Sequence, residues 1–276
     1  VHKDTIRLKD VLEKLYAKYN RRELIPPDPL QFVYRYSARG DMEIAALLAA
    51  VLAYGRVEQI GKTLSNLFGR MGRSPYEFVR NFSKADRQEL LDLAHRFTTG
   101  GDICDLLELL KYAFEQHGSI EKHFLSGYNK TDENIIPALG RFCNSLLNMY
   151  TAKNKTVPGR GLKYLLAGPA AGGASKRLNL FLRWMVRDDQ VDLGLWKSID
   201  KAKLIVPMDV HMFRVSRMLG FCRRKNISLK VAVEVTDRFA KIVPTDPVKY
   251  DFALCRVGMS QNSDDWSMIK SCIGSL

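Results

Sequence analysis

Two side chains in this sequence have the type and setting for covalent chemistry, an amine at Lys176 and a carboxylate at Asp209. Lys176 closes the run Gly168-Pro169-Ala170-Ala171-Gly172-Gly173-Ala174-Ser175, where a helix breaks, the backbone turns on glycines and a new helix opens on Lys176 and Arg177. Glycine removes side chains that would block close approach, and the N–H groups and positive dipole at a helix start form a seat for phosphate. Gly172, Gly173, Ser175 and Arg177 are the residues expected at such a seat. The plainer use of the same turn is to connect two packed helices.

A nucleophilic lysine must be neutral, whereas a free one, with a pKa of about 10.4, is almost wholly protonated near neutrality. Desolvation or a nearby positive charge favours the neutral amine. Arg177, the helix start and the apolar stretch Leu178 to Val186 supply both. Without them, Lys176 reads as an exposed phosphate contact.

Asp209 lies in Val206-Pro207-Met208-Asp209-Val210-His211-Met212-Phe213-Arg214-Val215-Ser216-Arg217-Met218-Leu219-Gly220, at the expected N-cap of a helix. Backbone N–H groups there hold a carboxylate, keep it ionised and aim it. An aspartate so placed can also do the capping job alone. His211 falls two positions on and faces another side of the helix, which predicts a core or phosphate-contacting role rather than catalysis. Arg214 and Arg217 share a face by their three-residue spacing, to touch phosphate or to form a solvated pair.

The elements that must position these groups are helices. Helical periodicity runs through the chain without a convincing stretch of strand alternation, so the fold class is all-α. An opening helix, Thr5 to Tyr19, ends at the proline-bearing stretch Arg21 to Pro29. A central core helix follows over 41–54, its small residues Ala45 to Ala53 inviting close neighbours, and it stops at Gly55. Helices are predicted near Val57 to Met71, Pro75 to Arg80, Ala85 to Arg96, Ile103 to Gln116 and Asn134 to Tyr150, with Ser74, Ser83, Asp102 and Asp132 as N-caps. The polar, basic run Lys153 to Gly161 marks the seam between an N-terminal portion, 1–160, and a hairpin-containing and C-terminal portion, 161–276, onto which the N-terminal segment is a candidate to pack back. Beyond it come a short helix to Leu166, the glycine hairpin, and helices near Lys176 to Arg187, Asp209 to Leu219, Leu229 to Ile242, Pro247 to Met259 and Asp264.

Composition sets the partner. The 276 residues are 46% hydrophobic, enough for one large or two closely packed helical subdomains. Forty-three Lys and Arg against 30 Asp and Glu give a net charge of +13, which fits displacement of counterions from a phosphate backbone better than an anionic membrane surface. Cys104, Cys143, Cys222, Cys255 and Cys272 form no C-x-x-C pair or tight cluster. They read as reduced, mostly buried thiols, not as a disulfide framework, zinc ribbon or iron-sulfur site, and no metal or other cofactor is expected. The apolar stretch Ile44 to Tyr54 is too short to cross a bilayer, and no signal-peptide pattern precedes it. A cytoplasmic protein is expected, nucleoid-associated if prokaryotic. The opening residue, Val1, suggests that a few leading residues are missing.

The segment Asp209-Val210-His211-Met212-Phe213-Arg214-Val215, followed by Arg217-Met218-Leu219-Gly220, resembles the surroundings of the catalytic aspartate in the helix-hairpin-helix DNA glycosylases, the endonuclease III superfamily. Other parts fall in matching order: the core helix, the glycine hairpin ending at a lysine, and Lys241-Ile242-Val243-Pro244 leading to Tyr250-Asp251-Phe252-Ala253-Leu254-Cys255-Arg256-Val257-Gly258. The resemblance covers roughly Asp41 to Gly258. The hairpin reads Gly172-Gly173-Ala174-Ser175-Lys176 in place of the usual Gly-x-Gly, and 33 positions separate Lys176 from Asp209, a longer interval than in the commonest members. That interval, with the lack of an iron-sulfur cluster, is similar to the archaeal 8-oxoguanine DNA glycosylases; the chain also looks like a conserved, uncharacterised bacterial family.

The resemblance implies a helix-hairpin-helix glycosylase fold, two helical subdomains flanking a central cleft. It implies base excision on double-stranded DNA carrying an oxidised purine such as 8-oxoguanine, with the damaged nucleotide extruded into a pocket. Lys176 becomes the Schiff-base nucleophile with AP-lyase activity, Asp209 its carboxylate partner, and Arg214 a backbone contact. Gln31, Tyr54, Arg56 and Trp266 are candidates for the base pocket or for the wedge that fills the vacated gap; Trp184 and Trp196 are further aromatics able to stack on a base, with core packing the default for Trp184. A monomer with no obligate protein partner is expected. The rival readings are a non-catalytic helix-hairpin-helix protein that grips DNA or RNA, and an RNA-modifying factor.

Overall fold

The structure, a computed structural model, describes residues 2–260 and 262–271. It is helical, as the periodicity predicts, apart from one small antiparallel ribbon and an isolated bridge between Asp188 and Leu193. In chain order the helices are α1 (His2–Tyr19), α2 (Arg39–Val51), α3 (Val57–Met71), α4 (Pro75–Arg80), α5 (Lys84–Leu90), α6 (Gly100–His117), α7 (Ile120–Ser126), α8 (Ile136–Asn154), α9 (Arg160–Leu165), α10 (Lys176–Val186), α11 (Val210–Met218), α12 (Leu229–Ala240), α13 (Asp251–Met259) and α14 (Ser263–Lys270). The ribbon pairs β1 (Ala94–His95) with β2 (Thr98–Thr99). Contacts divide the chain into two units, one continuous over 26–170 and one made of residues 1–25 with 171–276. The division falls after Ala170, where the sequence suggested a seam at 160.

In the 26–170 unit, α2 is the buried axis. Ile44 through Val51 are fully buried, and the alanines among them let the 3-10 turn Pro29–Arg35 and α4 lie close against the helix. Each large aliphatic side chain so buried contributes about 1.5–3 kcal/mol. Asp41, in the first turn of α2, is buried because it ties α4 down, accepting from Ser74 Oγ at 2.6 Å and from the Tyr76 N–H at 2.9 Å. Ser74 and Ser83 are the N-caps predicted from the sequence. Asp102 and Asp132 are not: Thr99 caps α6, with Asp102 as its capping-box partner, and Asp132 pairs with Arg141 while Asn134 accepts from the Ile136 N–H at α8. Helix α5 ends at Leu90, and the ribbon takes the residues beyond it that periodicity assigned to a longer helix. Gly100 has to be glycine, since a Cβ there would stand 2.1 Å from the Leu90 carbonyl oxygen.

In the other unit, α1 packs on α13 and α14, and α11 packs on α13. Glu13 of α1 accepts from Lys249 Nζ at 2.6 Å and from the Tyr250 hydroxyl at 2.7 Å, and Lys18 donates to Asp265 at 2.7 Å. Trp184 and Trp196 are fully buried, with Phe181 edge-on to Trp196, so Trp196 is a core residue and not a base-stacking one. The interior also holds charge. Arg183 pairs with Asp251 and Asp192, and Arg187 pairs with Asp192, Asp189 and Asp246, all within a region sealed from solvent except at the edges of Asp189 and Asp246. Such ions persist in an interior only when each has a partner of opposite sign.

Candidate active site

The loop into α10 is built for open backbone. Gly172 has φ of 80°, in the left-handed region, and a Cβ at Gly172 or Gly173 would meet nothing within 4 Å, so both glycines expose bare backbone. Ser175 is also left-handed, at φ 48°, an uncommon state for a residue with a Cβ. Its hydroxyl caps nothing and is buried without a partner, while Asn179 donates to the Ala174 carbonyl at 3.2 Å and braces the turn from below. Lys176 follows as the first residue of α10, half-buried, with its amine in no hydrogen bond or ion pair among the described residues. Arg177 beside it is also half-buried.

Asp209 is the N-cap of α11, with Oδ1 accepting from the Met212 N–H at 2.8 Å. It is half-buried like Lys176. Asp209 meets a thiol of another helix. Cys255, on α13, lies with Sγ 3.8 Å from Asp209 Oδ1 and 3.9 Å from Asp251 Oδ1, and the charges of both Asp209 and Lys176 act on it. Burial, then the negative charges of Asp251 and Asp209, push this thiol well up, against the pull of Arg183 and Lys176. Asp251 beneath it is fully buried, and desolvation raises its carboxyl to about 6 although Arg183 opposes the shift. Sequence reasoning missed Cys255, Asp251 and Arg183 as neighbours of Asp209; the signal was present only in the four-residue spacing of Asp251 and Cys255 along one helix face.

The packing of α11 on α13 sets this register. Gly258 admits the neighbouring helix, since a Cβ there would stand 2.8 Å from His211 Cβ, and His211 donates through Nδ1 to the Gly258 carbonyl at 3.1 Å. His211 is thus a helix-to-helix tie. Arg214 is exposed and lies 4.7 Å over the Trp266 ring, whose Nε1 donates to the Ser260 carbonyl at 3.1 Å. Arg217 is exposed beside the Phe213 ring.

The remaining candidates belong to the 26–170 unit. Gln31 is half-buried in the 3-10 turn Pro29–Arg35. Tyr54 is held by its hydroxyl to the His95 carbonyl at 2.9 Å and to Thr98 Oγ1 at 2.6 Å, so its ring is a support and not a free wedge. Arg56 is exposed at the start of α3. The exposed aromatic here is Phe97, at the tip of the ribbon, half open to solvent and packed against Tyr54 and Tyr164. Arg96 beside it has φ of 57° and lies against Gly55, itself at φ 95°. The sequence hid this tip because two-residue strands leave no alternation to read.

Cys104, Cys143 and Cys222 are buried free thiols, and Cys255 is a half-buried one; Cys272 lies outside the described residues. Among the described residues no group of three or more His, Cys, Asp or Glu side chains is arranged to hold a metal ion, and no helix is long and apolar enough to cross a membrane. Neither a curated protein nor a solved structure matches the chain. A family model described as protein of unknown function (DUF2400) matches residues 28–260, and the chain belongs to that family.

Proposed function

We propose that this protein is a bifunctional DNA glycosylase and AP lyase of the helix-hairpin-helix type, acting on an oxidised purine such as 8-oxoguanine in duplex DNA. The observation that supports the reading is that the charges of Lys176 and Asp209 both act on Cys255, with Asp209 in contact with its thiol and the Lys176 amine in no hydrogen bond or ion pair among the described residues. A half-buried lysine that performs no structural task is available as a nucleophile.

In this reading the neutral Lys176 amine attacks C1′ of the extruded nucleotide as the C1′–N bond breaks and the base departs with the bond's electrons. Asp209 stabilises the positive charge that grows on the sugar and accepts the proton released from the attacking amine. Ring opening gives an imine between Lys176 and C1′, which permits β-elimination of the 3′ phosphate. The bare loop at Gly172 and Gly173, with the N-terminus of α10, suits a DNA phosphate, and Arg177 and Arg214 add positive charge. In the 26–170 unit, Arg96 and Phe97 offer a cation and a stacking face for an unpaired base, and exposed Arg56 follows Gly55, against which Arg96 lies.

Borohydride trapping on duplexes carrying 8-oxoguanine or an abasic site tests the proposal. The wild-type chain should give a covalent adduct that Lys176→Ala loses by several orders of magnitude, with Asp209→Asn strongly slowed. Equal weak trapping by wild type and Lys176→Ala would leave a non-catalytic nucleic-acid binder, the reading to which the exposed Phe97 tip would then belong.

A further inference from the structure

Asp209 Oδ1 receives two donors, the Met212 N–H and the Cys255 thiol, while Oδ2 has no hydrogen-bond partner among the described residues. A thiol has one proton to give. Asp251, the other carboxylate within its reach, is held through Oδ2 by Arg183, which Asp192 fixes in turn, and its Oδ1 lies 3.9 Å from the thiol. The shorter contact, 3.8 Å, is to Asp209.

We propose that Cys255 is a positioning residue: its S–H, braced from beneath by Asp251 and Arg183, clamps Oδ1 of Asp209 and leaves Oδ2 as the oxygen presented to the reacting sugar. The inference rests on the glycosylase reading for its purpose, though the clamp itself does not. The groups around the thiol are Asp251, Asp209, Arg183 and Lys176, and burial with the two carboxylates keeps it protonated at neutral pH. A thiol so held is neither a nucleophile nor a redox sensor, since both need the thiolate. What it can do is donate. Its setting on α13, one turn beyond Asp251 and three residues before the close contact at Gly258, fixes the direction of that donation.

Two measurements test the clamp. In single-turnover base excision, Cys255→Ala should lower the rate about tenfold with DNA affinity unchanged, the size of one lost orienting hydrogen bond, and Cys255→Ser, which restores a donor, should recover most of it. Equal rates for wild type and Cys255→Ala, or a serine variant no better than alanine, would overturn the positioning role. Independently of activity, the pH dependence of Cys255 alkylation by iodoacetamide, read by peptide mass spectrometry, should move to lower pH in Asp209→Asn and in Asp251→Asn. An unchanged profile in Asp209→Asn would remove the clamp. Were wild type to trap no DNA while the alkylation profile moved as stated, the glycosylase reading would fall and the Cys255–Asp209 bond would stand.

Discussion

In the 26–170 unit the most deeply buried helix, α2, is packed mainly with alanine and aliphatic side chains, its buried carboxylates Asp41 and Glu43 lying near its start, whereas in the other unit α10 is as completely buried yet carries Arg183 inward, with Arg187 just past its end. The first arrangement is governed by volume and the second by pairing. An apolar core accepts any side chains of suitable size and shape. A guanidinium in the interior must meet its carboxylates in one geometry, at a cost in desolvation. The charged interior reaches Asp209 through Arg183, Asp251 and Cys255, so in the proposed reaction the rigid pairing would hold the orientation of that carboxylate.

The sharpest way to break this comparison is to remove one guanidinium. Arg183→Met leaves Asp251 and Asp192 facing each other's charge in a sealed interior, and should cost about 3–5 kcal/mol in denaturant unfolding. A loss under about 1 kcal/mol would mean that the network contributes little orientation.

The 26–170 unit has its own buried titratable group. His123 is 2% exposed, stacks on His117 at 4.4 Å, and has Nε2 on Ser145 Oγ with Nδ1 unpartnered. Burial, helped by the nearby His117, lowers it to about 4. The folded state therefore favours the neutral ring: its contribution is complete above the unfolded value of about 6.5 and is lost as pH falls through about 4, up to about 3 kcal/mol. His123→Gln should abolish that acid-side loss, as read by chemical unfolding at pH 7 and pH 4; an unchanged pH slope would contradict the assignment.

Smaller effects mark the periphery of both units. Thr99→Ala removes the hydroxyl half of the capping box at α6 and should cost about 1 kcal/mol. Lys197→Ala breaks an ion pair with Asp188 in which both side chains are 67% exposed, and should change stability by under about 0.5 kcal/mol. Reversal of that order in thermal unfolding would count against the capping geometry.

Legibility in the sequence followed the range of the interaction. Ser74 and Ser83 were readable as caps because a cap is satisfied within three residues. Asp102 misled for the same local reason: in a capping box the N3 carboxylate and the N-cap hydroxyl exchange bonds, and the acidic residue is the more conspicuous of the two. The start of α2 at Arg39 was hidden by Gly40, which reads as a breaker but is needed because a Cβ would stand 2.9 Å from the Tyr76 ring. Lys176 and Asp209 could each be singled out from their own helix starts. The Cys255 contact could not, since its link to Asp209 spans 46 positions and depends on the packing of α11 against α13. Arg183 was concealed inside an apolar run whose partners, Asp192 and Asp251, lie on other elements.

The unit that holds Lys176 and Asp209 is assembled from the two ends of the described chain, with α1 joined to Lys249, Tyr250 and Asp265 across more than 230 residues. During synthesis the 26–170 unit is complete and able to fold while α1 still waits for its partners. The nascent chain therefore acquires Lys176 late and the surroundings of Asp209 later still, and a ribosome that stops before α13 releases a protein with one finished unit and Asp209 without Cys255 and Asp251 beside it.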